Sequence, residues 1–283
     1  MRAASAGMEG YELLKRVIVA VVCVPILLWM VYAAPVWMLP SAVALLSAIA
    51  IFEALYSTGF LQHSRITAYS ILLAGLIPFW VFYDSRSLPA LVGLFVYVVL
   101  IFCDAMASHK KVGLEKIGGA FFLSVFIPFF LSSFLRMRKL EDWKYYIILP
   151  FVIAFLSDAC ALFAGLAFGK HKLAPELSPK KTVEGAIGGV CGATAAAVLS
   201  GVLAGPLFGV ENCRLWVLAI YGVAGSILSQ LGDLSFSYIK REYGLKDFGD
   251  LFPGHGGVLD RFDSVIFCAP FVEIMLYLLP VVK

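Results

Sequence analysis

The densest chemistry in the chain lies in residues 237–263, which gather cations, acids and a glycine turn within 27 positions. Lys240, Arg241 and Lys246 can hold anionic oxygens. Asp247, Asp250, Asp260 and Asp263 are hard oxygen donors of the kind Mg²⁺ prefers. Pro253-Gly254-His255-Gly256-Gly257 permits turns with positive φ, so backbone N–H groups can line an anion-binding concavity. Asp260 and Asp263 are three apart where the last apolar segment begins, so one helix face can present both. Together these residue types point to metal-assisted phosphoryl chemistry.

Three further constellations lie nearby. Ser226, Ser229, Gln230, Asp233, Ser237, Lys240 and Arg241 recur at intervals that share one helical face. An ionised Asp at the centre of a membrane helix costs on the order of 2.5–3.5 kcal/mol. The stripe therefore faces either a polar cavity or an interhelical hydrogen-bond network. Asp158 repeats the pattern on an earlier segment, followed by Ala161, Gly165 and Gly169 in small-xxx-small spacing. It is either a packed hydrogen-bond partner or part of the cavity. Between the two, Lys170, Lys172, Lys180 and Lys181 form a loop whose lysines can solvate, meet lipid headgroups or hold phosphates. Ser178 to Thr182 reads there as a helix start. Residues 165–170 are no P-loop: the spacing is one short, and His171 stands where Ser or Thr is needed.

These residues must be positioned by membrane helices. The chain has 283 residues, 61% apolar and only 14% charged, where a soluble domain carries about 25% charged residues. A net charge of +3 is too small for a nucleic-acid surface, so no nucleic-acid partner is expected. The six cysteines are scattered singly, which excludes a zinc ribbon or CxxC redox pair. Uncharged runs long enough to cross a bilayer predict an all-α, polytopic transmembrane bundle of about nine spans. Two lie within 17–52, turning near Pro35 and Pro40. The others are 66–83, 87–103, 117–135, 145–169, 185–210, 215–237 and 264–282. Gly185, Gly188, Gly189 and Gly192 give the seventh a smooth face for close packing.

Residues 1–16 read as an N-terminal cytoplasmic segment, 17–144 as a transmembrane scaffold, and 145–283 as the catalytic region. With the N-terminus inside, Lys and Arg fall fifteen to seven in favour of the cytoplasm. The 136–144 loop is a local violation. Met8 leaves an alternative start open, and Lys15-Arg16 ahead of an apolar run resembles a signal sequence without a cleavage site. A retained first span is the expectation.

The 237–263 segment resembles the signature of the phosphatidate cytidylyltransferases (CDP-diacylglycerol synthases). Ser237, Lys240, Arg241, Lys246, Asp247, His255, Gly256, Gly257, Asp260, Arg261 and Asp263 meet its fixed positions. Ser157-Asp158, Phe168-Gly169-Lys170 and the 178–185 stretch are similar to that family as well. The resemblance implies transfer of a cytidylyl group from CTP to phosphatidate in the bilayer, with Mg²⁺, and leaves a second metal ion and a homodimer open. On this reading Asp233 and Asp260 are the foremost metal ligands, with Asp263 and Asp158 next. Lys240, Arg241 and Lys246 contact phosphates, and His255 hydrogen-bonds a phosphate or acts as an acid. Lys170, Ser178, Lys180, Lys181, Thr182, Ser237, Asp247, Gly256, Gly257 and Arg261 complete substrate binding. The compact size favours a bacterial plasma membrane, with the site toward the cytoplasm. Two rivals are weighed against this reading. A CDP-alcohol phosphotransferase would need an Asp-Gly-x-x-Ala-Arg motif that the chain lacks. A transporter would more often show an internal repeat with broken helices in both halves.

Overall fold

The computed structural model describes residues 25, 28–61, 65–83, 87–107, 112–249 and 256–282. Within an apolar environment every backbone polar group must be satisfied locally, and the apolar runs accordingly fold as helices. In chain order these are α1 (Met38–Phe52), which continues through a π-helical turn (Glu53–Ser57), α2 (Arg65–Tyr83), α3 (Ser87–Ala107) and α4 (Leu114–Leu131). Two short helices, α5 (Ser133–Met137) and α6 (Trp143–Tyr146), lead into α7 (Leu149–Phe168). A hairpin of β1 (Lys172–Ala174) and β2 (Ser178–Thr182) follows, then α8 (Val183–Phe208), α9 (Leu215–Glu242) and α10 (Leu259–Leu278).

Among the described residues, seven helical segments are long and apolar enough to cross a membrane. The chain is thus an all-α, multi-pass bundle, as its composition requires. The last predicted span is present as α10, although Asp260, Arg261, Asp263 and Glu273 make it too charged to count by apolarity. The first of the nine predicted crossings falls largely outside the described residues, as do residues 1–16.

Two boundaries differ from expectation. Residues 178–182 form a strand rather than a helix start, pairing antiparallel with β1 (Lys172 opposite Thr182, Ala174 opposite Ser178). The helix begins only at Val183, where Thr182 Oγ1 accepts the Gly185 N–H at 3.1 Å as an N-cap. The last helix begins at Leu259, five residues before the predicted 264. Its earliest amides are supplied with buried carboxylate acceptors, described below, so the helix extends back over Asp260 and Asp263.

The helices of the second half approach closely where the sequence offers small residues. A Cβ on Gly189 of α8 would lie 2.9 Å from the Ser157 carbonyl oxygen of α7. A Cβ on Gly232 of α9 would lie 2.7 Å from the Asp263 carbonyl oxygen of α10. Gln230 of α9 ties α7, α8 and α9: its Nε2 donates to Ser157 Oγ at 3.4 Å, to the Ala186 carbonyl at 3.1 Å and to Ser226 Oγ at 3.2 Å. Ser157 Oγ and Ser226 Oγ are 2.7 Å apart. The upper part of the α9 stripe is therefore an interhelical network.

The basic 136–144 segment is held by protein partners. Arg136 forms a two-pronged pair with Glu273 of α10, at 2.6 Å from Nε and 2.8 Å from Nη2. Arg138 lies over the Trp143 ring, and Lys139 Nζ donates to the Val81 carbonyl at 2.9 Å.

Candidate functional site

Three aspartates on three helices meet below the Gln230 network. The close pass of α9 and α10 at Gly232 brings Asp233 beside Asp263, and Asp158 of α7 faces the same junction through Ser264. Ser264 Oγ donates to Asp158 Oδ2 at 3.0 Å, and the Ser264 N–H donates to Asp263 Oδ1 at 2.7 Å. Ser264 thus bridges the carboxylates of α7 and α10. Asp263 is buried, Asp233 half-buried and Asp158 exposed.

Lys181 closes this cluster from the hairpin. Its Nζ stands 2.5 Å from Asp233 Oδ2, while Ser237 Oγ donates to Asp233 Oδ1 at 3.3 Å. The hairpin is itself pinned at both ends. Glu184 accepts the Lys170 and His171 backbone N–H groups, at 3.1 Å and 3.2 Å, and its Oε1 lies 2.6 Å from His171 Nδ1. At the tip, Arg241 Nε donates to the Leu177 carbonyl at 3.1 Å and its Nη1 to the Leu245 carbonyl at 2.7 Å. Arg241, expected to grip phosphate, thus also holds the hairpin against the end of α9.

Asp260 sits one turn from Asp263 in a different setting. Its Oδ1 accepts from Lys240 Nζ at 2.7 Å. Its Oδ2 accepts the N–H groups of Phe248 at 2.8 Å and Gly257 at 3.0 Å. Both Asp260 and Lys240 are buried. Gly256 takes φ +78°, a conformation that side chains disfavour, and a Cβ there would lie 2.8 Å from Asp260 Oδ2. The glycine turn therefore wraps the carboxylate, and only glycine fits.

Of the remaining expected residues, Lys170, Lys180, Lys246, Asp247 and Arg261 are exposed, and Ser178 is half-buried. Thr182 serves as the α8 cap. His255 and Asp250 lie outside the described residues. Sequence reasoning passed over Glu53, a buried carboxylate that meets the first turn of α10. It also passed over the partners of Arg136 and His171. For Glu53 a signal existed: an acid at the end of an apolar run is costly there and invites a functional reading.

The donor set suits a hard cation. Asp158 Oδ1 and Asp263 Oδ2 accept no hydrogen bond among the described residues. No group of three or more His, Cys, Asp or Glu side chains is gathered tightly enough to hold an ion alone among the described residues. Mg²⁺ is commonly bound by one or two carboxylates, completing its shell with substrate phosphates and water, so a sparse set of acids fits it.

Comparison with known proteins bears on the same chemistry. A family model described as the cytidylyltransferase family matches residues 14–279. A protein of Staphylococcus haemolyticus (strain JCSC1435) named phosphatidate cytidylyltransferase is 44% identical over 137 residues, covering 48% of this chain and 50% of that protein. Its namesake in Staphylococcus aureus (strain COL) is 42% identical over 137 residues, with the same coverage. The chain spans about half the length of the curated relatives it matches.

Proposed function

The chain belongs to the cytidylyltransferase family, and from that premise we propose that it is a phosphatidate cytidylyltransferase. It would convert CTP and phosphatidate to CDP-diacylglycerol and diphosphate in the bacterial cell membrane. The observation that carries this reading is the meeting of Asp158, Asp233 and Asp263 from three helices under Lys181. An acidic centre bounded by lysines and arginines suits a reaction in which two phosphorylated substrates must be brought together.

In this reaction a phosphatidate oxygen attacks the α-phosphorus of CTP, and the bond from that phosphorus to the β-phosphate oxygen breaks. Diphosphate leaves with that bonding pair. The negative charges of both substrates oppose their approach, so the protein must supply offsetting charge and in-line positioning. Lys180, Lys181 and Lys170 border the centre on the hairpin side, Lys240, Lys246 and Arg261 on the α9–α10 side. Lys181 would leave Asp233 for a substrate phosphate, and Lys240 would likewise release Asp260 Oδ1. Asp233 would then hold Mg²⁺ together with an α10 carboxylate, Asp260 Oδ1 or Asp263 Oδ2, with Asp158 beside them. Bound there, Mg²⁺ would neutralise phosphate charge and polarise the reacting phosphorus. The Gly256-Gly257 turn would present backbone amides to the nucleotide.

The lipid's tails would remain in the bilayer among α7, α8 and α9, while CTP approaches from the cytoplasmic side. No observation favours a transporter or a CDP-alcohol phosphotransferase. The deciding experiment incubates purified protein with radiolabelled CTP, phosphatidate and Mg²⁺. Product CDP-diacylglycerol with matching diphosphate supports the assignment, and a chain that forms neither is not this enzyme.

A further inference from the structure

Glu53 belongs to the first half of the chain, yet it is bonded to the last helix. It opens the π-helical turn that ends α1 and is 3% exposed. Its Oε1 accepts the Val258 N–H at 2.9 Å, and its Oε2 accepts the Leu259 N–H at 2.8 Å, across more than 200 residues of sequence. Two glycines make room for it. A Cβ on Gly249 would lie 2.9 Å from Oε1, and one on Gly257 would lie 2.5 Å from Cδ.

The consecutive amides of residues 257, 258 and 259 therefore all donate to buried carboxylates. The first goes to Asp260 and the next two to Glu53. A helix start leaves four N–H groups without intrahelical partners; here Asp260 takes one and Glu53 two, although two buried acids side by side repel. The favourable helix N-terminus and Lys240 offset that repulsion. What Glu53 adds is a fixed point outside the segment itself, reached from a different helix. π-Helical turns of this kind are frequent at functional sites.

We infer that Glu53 is a positioning residue for the nucleotide-binding segment: its carboxylate fixes the Gly257–Leu259 amides so that the glycine turn, Asp260 and Lys240 are set for CTP. The inference rests on the cytidylyltransferase reading above. It also makes α1 part of the catalytic unit rather than scaffold alone.

The test uses the full chain in lipid-containing detergent micelles. Glu53→Gln keeps the side-chain volume but turns one acceptor into a donor facing an N–H group. The variant is expected to raise the KM for CTP about tenfold to a hundredfold, as loss of an orienting partner commonly does. The KM for phosphatidate should stay within about twofold. Amide exchange in peptides covering 256–262 should quicken while exchange in 65–83 holds. A merely structural role would reduce the yield of folded protein and leave the CTP KM of the survivors unchanged. If Glu53→Gln does not accumulate, Glu53→Asp, which keeps the charge but cannot span both amides, is measured in the same way. Wild-type values for both the CTP KM and the exchange in either variant would overturn the inference. Wild-type protein that forms no CDP-diacylglycerol overturns the proposed reaction instead, and is read before any variant is compared.

Discussion

Lys181 Nζ stands 2.5 Å from Asp233 Oδ2, joining the β2 strand to the middle of the charged face of α9. Neighbouring Lys180 is exposed, whereas Lys181 is half-buried on Asp233. Two adjacent lysines that read alike in sequence therefore sit in different settings. Lys180→Ala should raise the KM for CTP or phosphatidate with little change in kcat. Lys181→Ala should lower kcat/KM at least about tenfold more, about 1.4 kcal/mol, because Lys181 stands on Asp233 at the acidic centre, where it would pass to a substrate phosphate. Steady-state kinetics on the two single variants decides this, and equal effects would mean that the pair with Asp233 has no part in turnover.

Removing the charge of a proposed metal ligand while keeping its shape should stop chemistry more than binding. Asp233→Asn is expected to cost at least about 10²-fold in kcat, as loss of one electrostatic stabiliser does. The protein should still insert and fold. Chelation of Mg²⁺ should abolish turnover of the wild type reversibly, and a variant with near-normal metal dependence would remove Asp233 from the ligand set.

Asp260→Asn and Asp263→Asn should separate the two α10 acids. Asp260 binds Lys240 and two loop amides, so its loss should loosen the 248–257 segment as well as weaken activity. Asp263 has an oxygen free of hydrogen bonds among the described residues, so its loss should shift the Mg²⁺ concentration for half-maximal rate. A Mg²⁺ titration of each variant, paired with thermal unfolding, gives the assignment.

Arg136 and Glu273 form a pair remote from the acidic centre, and their role should be stability. Glu273→Ala should destabilise by about 3–5 kcal/mol, since it strands a part-buried guanidinium. Replacing both partners with apolar residues of similar size should recover most of that loss. Thermal unfolding of the two singles and the double closes the cycle, and activity per folded molecule should hardly move.

The hairpin and the acidic centre should share the cytoplasmic side. On a cysteine-free background, Lys180→Cys should react with an impermeant maleimide only when the cytoplasmic face is open. Labelling from outside alone would invert the orientation.

Composition and apolar run length settled the architecture, because a bilayer admits few backbone solutions and roughly twenty apolar residues leave one choice per run. Residue type and spacing also showed charge and glycine crowding together in the second half. Carboxylates and lysines in such a setting are too costly to keep without partners. The smooth glycine face of 185–192 was legible for the same local reason, since only small residues let two helix backbones approach. Other features were not legible. Periodicity places Asp233 on a helix face but does not say that Lys181 will reach it, or that Asp260 will be wrapped by loop amides. Glu53, just past the 17–52 run, stands out locally only as an acid at the end of an apolar stretch. Its partners lie more than 200 residues away, and no local pattern encodes a contact of that separation. Such pairings follow from how the helices pack against one another. They are decided by which buried donors the assembled bundle leaves for a carboxylate to satisfy.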